Sequence, residues 1–390
     1  MAIQKIYDHK FKIILVVATL LLAACNGPVV PTPQPASPIP ETTQSPTVSS
    51  TSQPTPTDTP TPVVEVTATP TDEIIEPTVT VRVEPPVISV NNLDQLQEVD
   101  AIEFELPEAL DWSQDSHTLA ILSRNEVLLY SVANRAESRS IAFGPEIVLD
   151  ACADNGMAAT TEDQKNIRFY DTETGSIAYT IETQGILYQA SFSPDGRRVA
   201  IPLMEEIAVE LYDTETGQLE QRLTGFETAA PVYGAVFSTN GENIIWISRG
   251  QVQPMHIESG ELGPSFGHQD FVSAVALSPD ESVLAVSTAG TVNDEYTPII
   301  QLWDPESGDD LGILLPGDEI PSAMDIAPAS DLLVNSFGFE VQFWDLHQQS
   351  QITSLNGHSD RVVAAVFSPD GRTLATASAD GMIRLWQIAP

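Results

Sequence analysis

Short apolar runs alternate with polar turns along the chain from about residue 105 to the C-terminus. In the last stretch, residues 362–367 are apolar throughout, which is typical of an inner strand covered on both faces. Residues 368–371 read Ser-Pro-Asp-Gly, a turn in which proline sets φ at the second position and glycine accepts positive φ at the fourth. Residues 373–378 and 382–388 are predicted as two further strands, joined by a second tight turn at Asp380 and Gly381.

The same unit occurs seven times, at a spacing of about 42 residues. Its first half is clear at 192–196 and 277–280, fainter at 112–115, 237–241 and 326–328, and degenerate at 152–156. Its second half ends on an aromatic residue followed by a polar one, at Tyr170-Asp171, Tyr212-Asp213, Trp303-Asp304 and Trp344-Asp345, with variants at Tyr130-Ser131, Trp386-Gln387 and Met255-His256. A repeat of this length indicates an array or a propeller.

Each unit is interpreted as a four-stranded blade, in which the fourth strand follows a loop such as residues 171–175. The last unit ends after its third strand, so this blade lacks its outer strand. The segment 96–99, ahead of the first unit, is the candidate to supply it and so to leave no unpaired edge. The predicted fold class is all-β, a seven-bladed propeller over residues 91–390.

These residues resemble the WD repeat, in which Gly-His opens a unit and Trp-Asp closes its third strand. The resemblance covers about 295 of the 390 residues, and Gly267-His268 and Gly357-His358 mark its two best copies, units five and seven. It implies a hydrogen-bonded network in blade seven of His358, Thr376 or Ser378, Trp386 and Asp380.

In blade five the resemblance implies a similar set of His268, Ser287 or Thr288, and Trp303. The turn aspartate of that blade is lost in a longer loop around Asn293 and Asp294. The other five units lack the full set and are expected to rely on packing. The histidines of both sets are therefore given a structural role.

The N-terminus is predicted to carry a targeting signal. Three lysines precede an apolar run of 12 residues that begins at Ile13, a pattern that predicts a secretory signal and is shorter than a typical membrane span. Leu22, Ala23, Ala24 and Cys25 look like the bacterial lipobox. The resemblance implies cleavage after residue 24 and acylation of Cys25, an anchor that two or three chains make lasting. The alternative is an ordinary signal peptide in which Cys25 is incidental. Cys152 is then the remaining cysteine and is expected to be a buried small apolar residue.

Residues 25–88 are predicted to be a disordered linker. Most of this segment is rich in proline, threonine and serine and has no aromatic residue, so it cannot bury enough apolar surface to offset its ordering entropy. With the anchor it predicts a stalk that holds the propeller away from a membrane of the bacterial cell envelope, on the extracytoplasmic side.

The charge narrows the choice of partner. The chain has 16 basic and 55 acidic residues, a net charge of −39. A surface this acidic repels nucleic acid and anionic lipid, so neither is an expected partner. Solubility explains such a charge, and a basic protein or peptide partner, or divalent cations, is the functional alternative.

No catalytic or metal-binding pattern emerges from the six histidines, and there is no HExxH, GxSxG, Walker or zinc spacing. The acidic loops 171–175 and 213–217 resemble only part of a calcium loop and are interpreted as turns. No cofactor or metal is predicted. The expected function is binding or scaffolding for a protein or peptide, and the alternative is a propeller hydrolase or lyase that acts on an extracellular polymer.

Overall fold

The computed structural model describes residues 63–65, 80–82 and 84–389, apart from 135–137, 184, 186, 188, 205, 227–229, 269–270 and 330. Residues 87–389 lie in one compact unit. In a separate unit, β1 (Val63–Glu65) pairs antiparallel with β2 (Thr80–Arg82), within the segment predicted as a linker. The rest of residues 1–83, including the lipobox and Cys25, lies outside the described residues.

Seven four-stranded antiparallel sheets make up the larger unit, as the repeat predicted. Each blade follows chain order from an inner first strand to an outer fourth strand. The strands of the first three blades are β4 (Ala109–Trp112), β5 (Thr118–Leu122), β6 (Glu126–Ser131) and β7 (Arg139–Ala142); β8 (Ile147–Cys152), β9 (Met157–Thr161), β10 (Asn166–Asp171) and β11 (Ser176–Glu182); and β12 (Ser191–Phe192), β13 (Arg198–Leu203), β14 (Ala208–Asp213) and β15 (Leu219–Leu223).

The later blades follow the same order. They are β16 (Val232–Phe237), β17 (Asn243–Ser248), β18 (Gln251–His256) and β19 (Phe266–Gly267); β20 (Ala274–Leu277), β21 (Leu284–Val292), β22 (Glu295–Trp303) and β23 (Asp310–Leu314); β24 (Met324–Ile326), β25 (Leu332–Phe337), β26 (Glu340–Asp345) and β27 (Ser350–Leu355); and β28 (Val362–Phe367), β29 (Thr373–Ser378) and β30 (Met382–Ile388).

The N-terminal strand closes the ring. β3 (Leu96–Glu103) pairs antiparallel with β30, so the predicted segment 96–99 is part of a longer strand that completes blade seven. A 3₁₀ turn at Leu93–Gln95 precedes it. The fully buried Ile88 donates its N–H to the carbonyl of Gly371 at 2.8 Å, so the compact unit begins at Val87, ahead of the boundary predicted at 91.

The turn between the first and second strands has the same chemistry in five blades. In blade seven the hydroxyl of Ser368 donates to Asp370 Oδ1 at 2.6 Å and accepts from the Thr373 N–H at 2.9 Å. Ser113, Ser193, Ser238 and Ser278 make the equivalent pair of bonds in blades one, three, four and five. A serine hydroxyl that hydrogen-bonds to the backbone of its own turn competes with the hydrogen bonds of a longer strand, and so favours the turn.

The core lies between the blades. Each large apolar cluster contains residues from neighbouring sheets. In one cluster, residues of blade seven pack with residues of blade one, namely Ile102, Leu385 and Val366 with Leu110 and Trp112. Packing of adjacent sheets face to face buries both faces of each inner strand. The ring therefore presents two ends to solvent. The upper face carries the second-to-third-strand turns and the connections between blades; the lower face carries the serine turns and the third-to-fourth-strand loops.

Candidate interaction surfaces

Blade seven assembles the network that the resemblance implied. His358 Nδ1 lies 3.1 Å from Asp380 Oδ2, and its Nε2 lies 2.8 Å from Thr376 Oγ1. Trp386 Nε1 donates to the same Thr376 hydroxyl at 3.0 Å. Ser378 does not bond His358 or Trp386, since its hydroxyl donates to the Asp360 carbonyl at 2.9 Å and accepts from the Asp380 N–H at 3.1 Å. Burial lowers the pKa of His358, and the backbone N–H groups of Ser359 and Met382, with His358, hold the pKa of Asp380 below its usual value.

Blade five places the corresponding rings together without the hydrogen bonds. His268 and Trp303 meet edge to face, with centroids 6.1 Å apart. Their Nε2 and Nε1 atoms are buried and have no hydrogen-bond partner among the described residues. Burial therefore lowers the pKa of His268 to about 4. The sequence-based expectation of Ser287 or Thr288 as the partner is wrong, because these hydroxyls donate to the Pro321 and Phe271 carbonyls.

Strand register explains the difference between the two blades. Leu374 pairs with Trp386 in blade seven and Leu284 pairs with Trp303 in blade five, so the position of Thr376 is occupied by Val286. Valine has no group that could accept from the tryptophan. The expectation that only packing holds the other blades also fails in blade six, where Trp344 Nε1 donates to Asn335 Oδ1 at 2.6 Å. Asn335 stands at the register position of Thr376, a signal that an alignment of strand two would have found.

Asp150 and Asp325 are buried carboxyl groups on the inner strands of blades two and six. Asp150 accepts from the N–H groups of Ala151 at 2.8 Å and of Phe192, in the next blade, at 2.9 Å. Asp325 makes the same bonds to Ile326 and to Phe367 of the next blade, at 2.8 and 2.7 Å. Burial raises the pKa of Asp150 to about 8 and that of Asp325 to about 7. Both carboxyls join one blade to the next through backbone N–H groups, a structural use that sequence reasoning missed.

The acidic loops act as turns, in agreement with their interpretation. Asp171 Oδ1 accepts from the N–H groups of Glu173 and Thr174, both at 2.8 Å, and Asp213 Oδ1 accepts from Thr216 at 2.7 Å. These bonds lower the pKa of both carboxyls. Among the residues that the structure describes, no group of three or more His, Cys, Asp or Glu side chains could hold a metal ion. Cys152 is buried in β8, as the sequence predicted.

The upper face exposes large apolar side chains on blades five and six. Tyr296, beside the turn between β21 and β22, is 63% exposed, and Phe339, in the turn between β25 and β26, is 53% exposed. Leu315 and Ile320 lie in the connection between these blades and are also exposed. Glu319 lies beside the turn between β25 and β26, since its Oε2 is 3.9 Å from the position that a Cβ on Gly338 would take. These five residues, four apolar and one acidic, lie on the upper face of two neighbouring blades and are here called the upper patch.

The lower face has a groove of about 740 Å³ between blades four and five. Its apolar lining comes from Ile245, Pro254, Leu262, Pro264, Leu277 and Pro305. Its ionisable lining comprises His256 and four carboxylates, Glu261, Asp280, Glu281 and Glu306. No lysine or arginine is among the lining residues. The groove is thus apolar along its wall and negatively charged at neutral pH.

Comparison with known proteins agrees with the fold. The family described as WD domain, G-beta repeat matches residues 260–293 and 349–387. Cell division cycle 20.5, cofactor of APC complex, from Arabidopsis thaliana is 25% identical over 292 residues, which is 72% of this chain and 55% of that protein. B-type cell cycle switch protein ccs52B from Medicago truncatula is 29% identical over 32% of this chain and 25% of its own length.

A third relative is the small ribosomal subunit protein RACK1 from Caenorhabditis elegans, 29% identical over 32% of this chain and 38% of its own length. The chain thus spans between 25% and 55% of these three relatives. It carries WD40 repeats within a seven-bladed propeller, a fold suited to protein interaction. The described part of the chain contains no helix with the length and apolar character that a membrane span requires.

Proposed function

We propose that this protein is a lipid-anchored, extracytoplasmic binding protein of the bacterial cell envelope, whose propeller docks a protein partner. The upper patch is the observation that carries the docking role. Exposed aromatic and aliphatic side chains on the loops of a rigid scaffold are the usual anchors of protein interfaces. A basic partner fits best, because Glu319 and the net charge of −39 favour a positively charged surface.

The anchoring role is supported by the sequence of residues 22–25. Small residues directly before Cys25, after a basic and then an apolar segment, are what a lipoprotein signal requires. Acylation of Cys25 would hold the chain at a membrane, and the linker would give the propeller reach. Loss of the signal segment would remove three lysines and one aspartate and so make the remaining chain more acidic.

The docking role is tested by capture from solubilised envelope of the source organism, with the full chain as bait. We expect a Tyr296→Ser, Phe339→Ser variant to lose at least tenfold in retained partner, because it removes the two aromatic anchors. Ile177→Ser is the matched control, since Ile177 is 51% exposed but lies on the outer strand of blade two. Equal retention by both variants and wild type would contradict docking at the upper patch.

The anchor is tested separately by metabolic labelling with radioactive palmitate in a bacterial host. We expect label on the wild-type chain and on Cys152→Ala, and none on Cys25→Ala. Label that persists in Cys25→Ala, or that is absent from the wild type, would show that residues 22–25 are not a lipoprotein signal.

A further inference from the structure

The groove on the lower face exists because blade four departs from the regular repeat. Its outer strand β19 is two residues long and pairs only with Gln251 and Val252, at the upper end of β18. At the lower end, Pro254 has no N–H to donate, and Leu262 is joined to Met255 only by an isolated bridge. The outer wall of this blade is therefore incomplete where the groove opens.

Blade five supplies the opposite wall of the groove and the half-buried carboxyl of Glu281. The turn between β20 and β21 reads Ser-Pro-Asp-Glu, so Glu281 stands where Gly156, Gly196, Gly241 and Gly371 stand in four other blades. All five residues have positive φ, which is +56° at Glu281. The chain holds a carboxyl-bearing side chain at a position where glycine is the unstrained choice.

The Glu281 carboxyl is incompletely satisfied by the protein. Its Oε2 accepts from Asn243 Nδ2 at a long 3.3 Å, and its buried Oε1 has no hydrogen-bond partner of good geometry among the described residues. Burial raises the pKa of this carboxyl, while the nearby Ser238 hydroxyl and the Asn240 N–H oppose that shift. A buried carboxylate oxygen that lacks a well-aligned hydrogen bond is costly, and a donor from outside would remove that cost.

We infer that this groove is a second docking site, which binds an extended segment of a protein partner through an arginine side chain. The aliphatic stem of arginine would pack on Ile245, Leu262 and Leu277, and its guanidinium would donate to Glu281. The other three carboxylates would favour further basic residues in the segment, since no lysine or arginine lines the groove. The inference rests on the proposed binding role but concerns the opposite face from the upper patch.

The test is selection of decapeptides from a random phage library on the immobilised full chain, followed by fluorescence anisotropy with the selected peptides. We expect selected sequences to be enriched in arginine beside apolar residues. Replacing that arginine by citrulline, which keeps its shape without its charge, should weaken binding about tenfold or more. Glu281→Gly and Glu281→Gln should each weaken binding to a similar extent.

Both variants are suited to the question. Glycine is the residue of four equivalent turns, so Glu281→Gly should unfold at or above the wild-type midpoint, and glutamine keeps the size of the side chain. Glu173→Gln, an exposed acid on blade two, is the charge-matched control and should bind as wild type does. Selected peptides without basic residues, full binding to Glu281→Gly, or no selection above background would overturn the inference. Tyr296→Ser, Phe339→Ser should leave peptide binding unchanged, so the two docking sites can fail independently.

Discussion

Blades five and seven carry the same motif residues but use them differently. Both have Gly-His before the first strand and tryptophan at the end of the third, and both match the family pattern. In blade seven the histidine, threonine, tryptophan and aspartate are joined by hydrogen bonds of 2.8–3.1 Å. In blade five the two rings pack together with their buried nitrogens unpartnered among the described residues.

Hairpin length and register separate the two blades. In blade seven, Asp380 sits in the tight turn directly after β29, next to His358. In blade five, β21 and β22 are nine residues each, and the turn falls at Asn293 and Asp294. About three extra residues per strand move that turn roughly 10 Å away from the histidine. The motif residues therefore form a hydrogen-bonded network only when the hairpin between the second and third strands has the right length.

The largest effect is expected at the strands that complete the two blades. Ile102→Asp buries a charge in β3 and should cost about 4 kcal/mol or more, since it also releases the strand that closes the ring. Leu314→Asp places the same charge in the outer strand of blade five without opening the ring. Urea unfolding compares stability, and limited proteolysis shows whether only Ile102→Asp exposes residues 96–103. Equal cleavage of both variants would argue against ring closure by β3.

The next largest effect is the pH dependence of blade five. The unfolded chain protonates His268 near pH 6.5 but the folded protein does so near its pKa of about 4. The stability contributed by the neutral ring is therefore complete above pH 6.5 and is lost as the pH falls toward 4. Wild type should lose up to about 3 kcal/mol more than His268→Gln between pH 7.5 and 4.5. Parallel pH profiles from chemical unfolding would disprove this.

Exchanging one residue between the blades should exchange their behaviour. Thr376→Val leaves His358 Nε2 and Trp386 Nε1 without their common partner and should cost about 2 kcal/mol. Val286→Thr places a hydroxyl at the equivalent register position, beside the two buried nitrogens that lack a partner among the described residues. It should raise the free energy of unfolding by about 1 kcal/mol. Urea midpoints measure both changes. A loss of stability in Val286→Thr would mean that the hydroxyl does not reach the rings.

The smallest effect concerns the serine turns. Glu281→Gly relieves a positive φ of +56° and should stabilise the protein by about 0.5–1 kcal/mol. Gly371→Ala does the reverse in blade seven, because φ is +68° and the new Cβ would lie 3.1 Å from Val87 Cγ1, so it should destabilise by about 1 kcal/mol. Thermal unfolding resolves both. The same sign for the two variants would show that turn strain is not what separates these positions.

Much of the fold could be predicted from local features of the sequence. Alternating runs and Ser-Pro-Asp-Gly turns identify the strands because the turn chemistry is contained within a few residues. Seven units and one orphan strand at 96–99 then predict the closed ring, since an unpaired edge is unfavourable. The network in blade seven follows the same logic, because the strands that carry Thr376 and Trp386 are regular and a tight turn at Asp380 joins them.

The two proposed docking surfaces and the loss of the network in blade five could be recognised only from the tertiary structure. Whether Val286 or Ser287 faces Trp303 depends on a pairing register that a shift of one residue reverses. The lower groove depends on side chains from two blades, Pro254 and Leu262 on one side and Glu281 on the other. The repeat and its turns can be predicted from the sequence alone because they depend on neighbouring residues, and closure of the ring follows from the number of strands. Which side chains meet depends on tertiary contacts, because register, hairpin length and blade packing bring together residues that are distant in the chain.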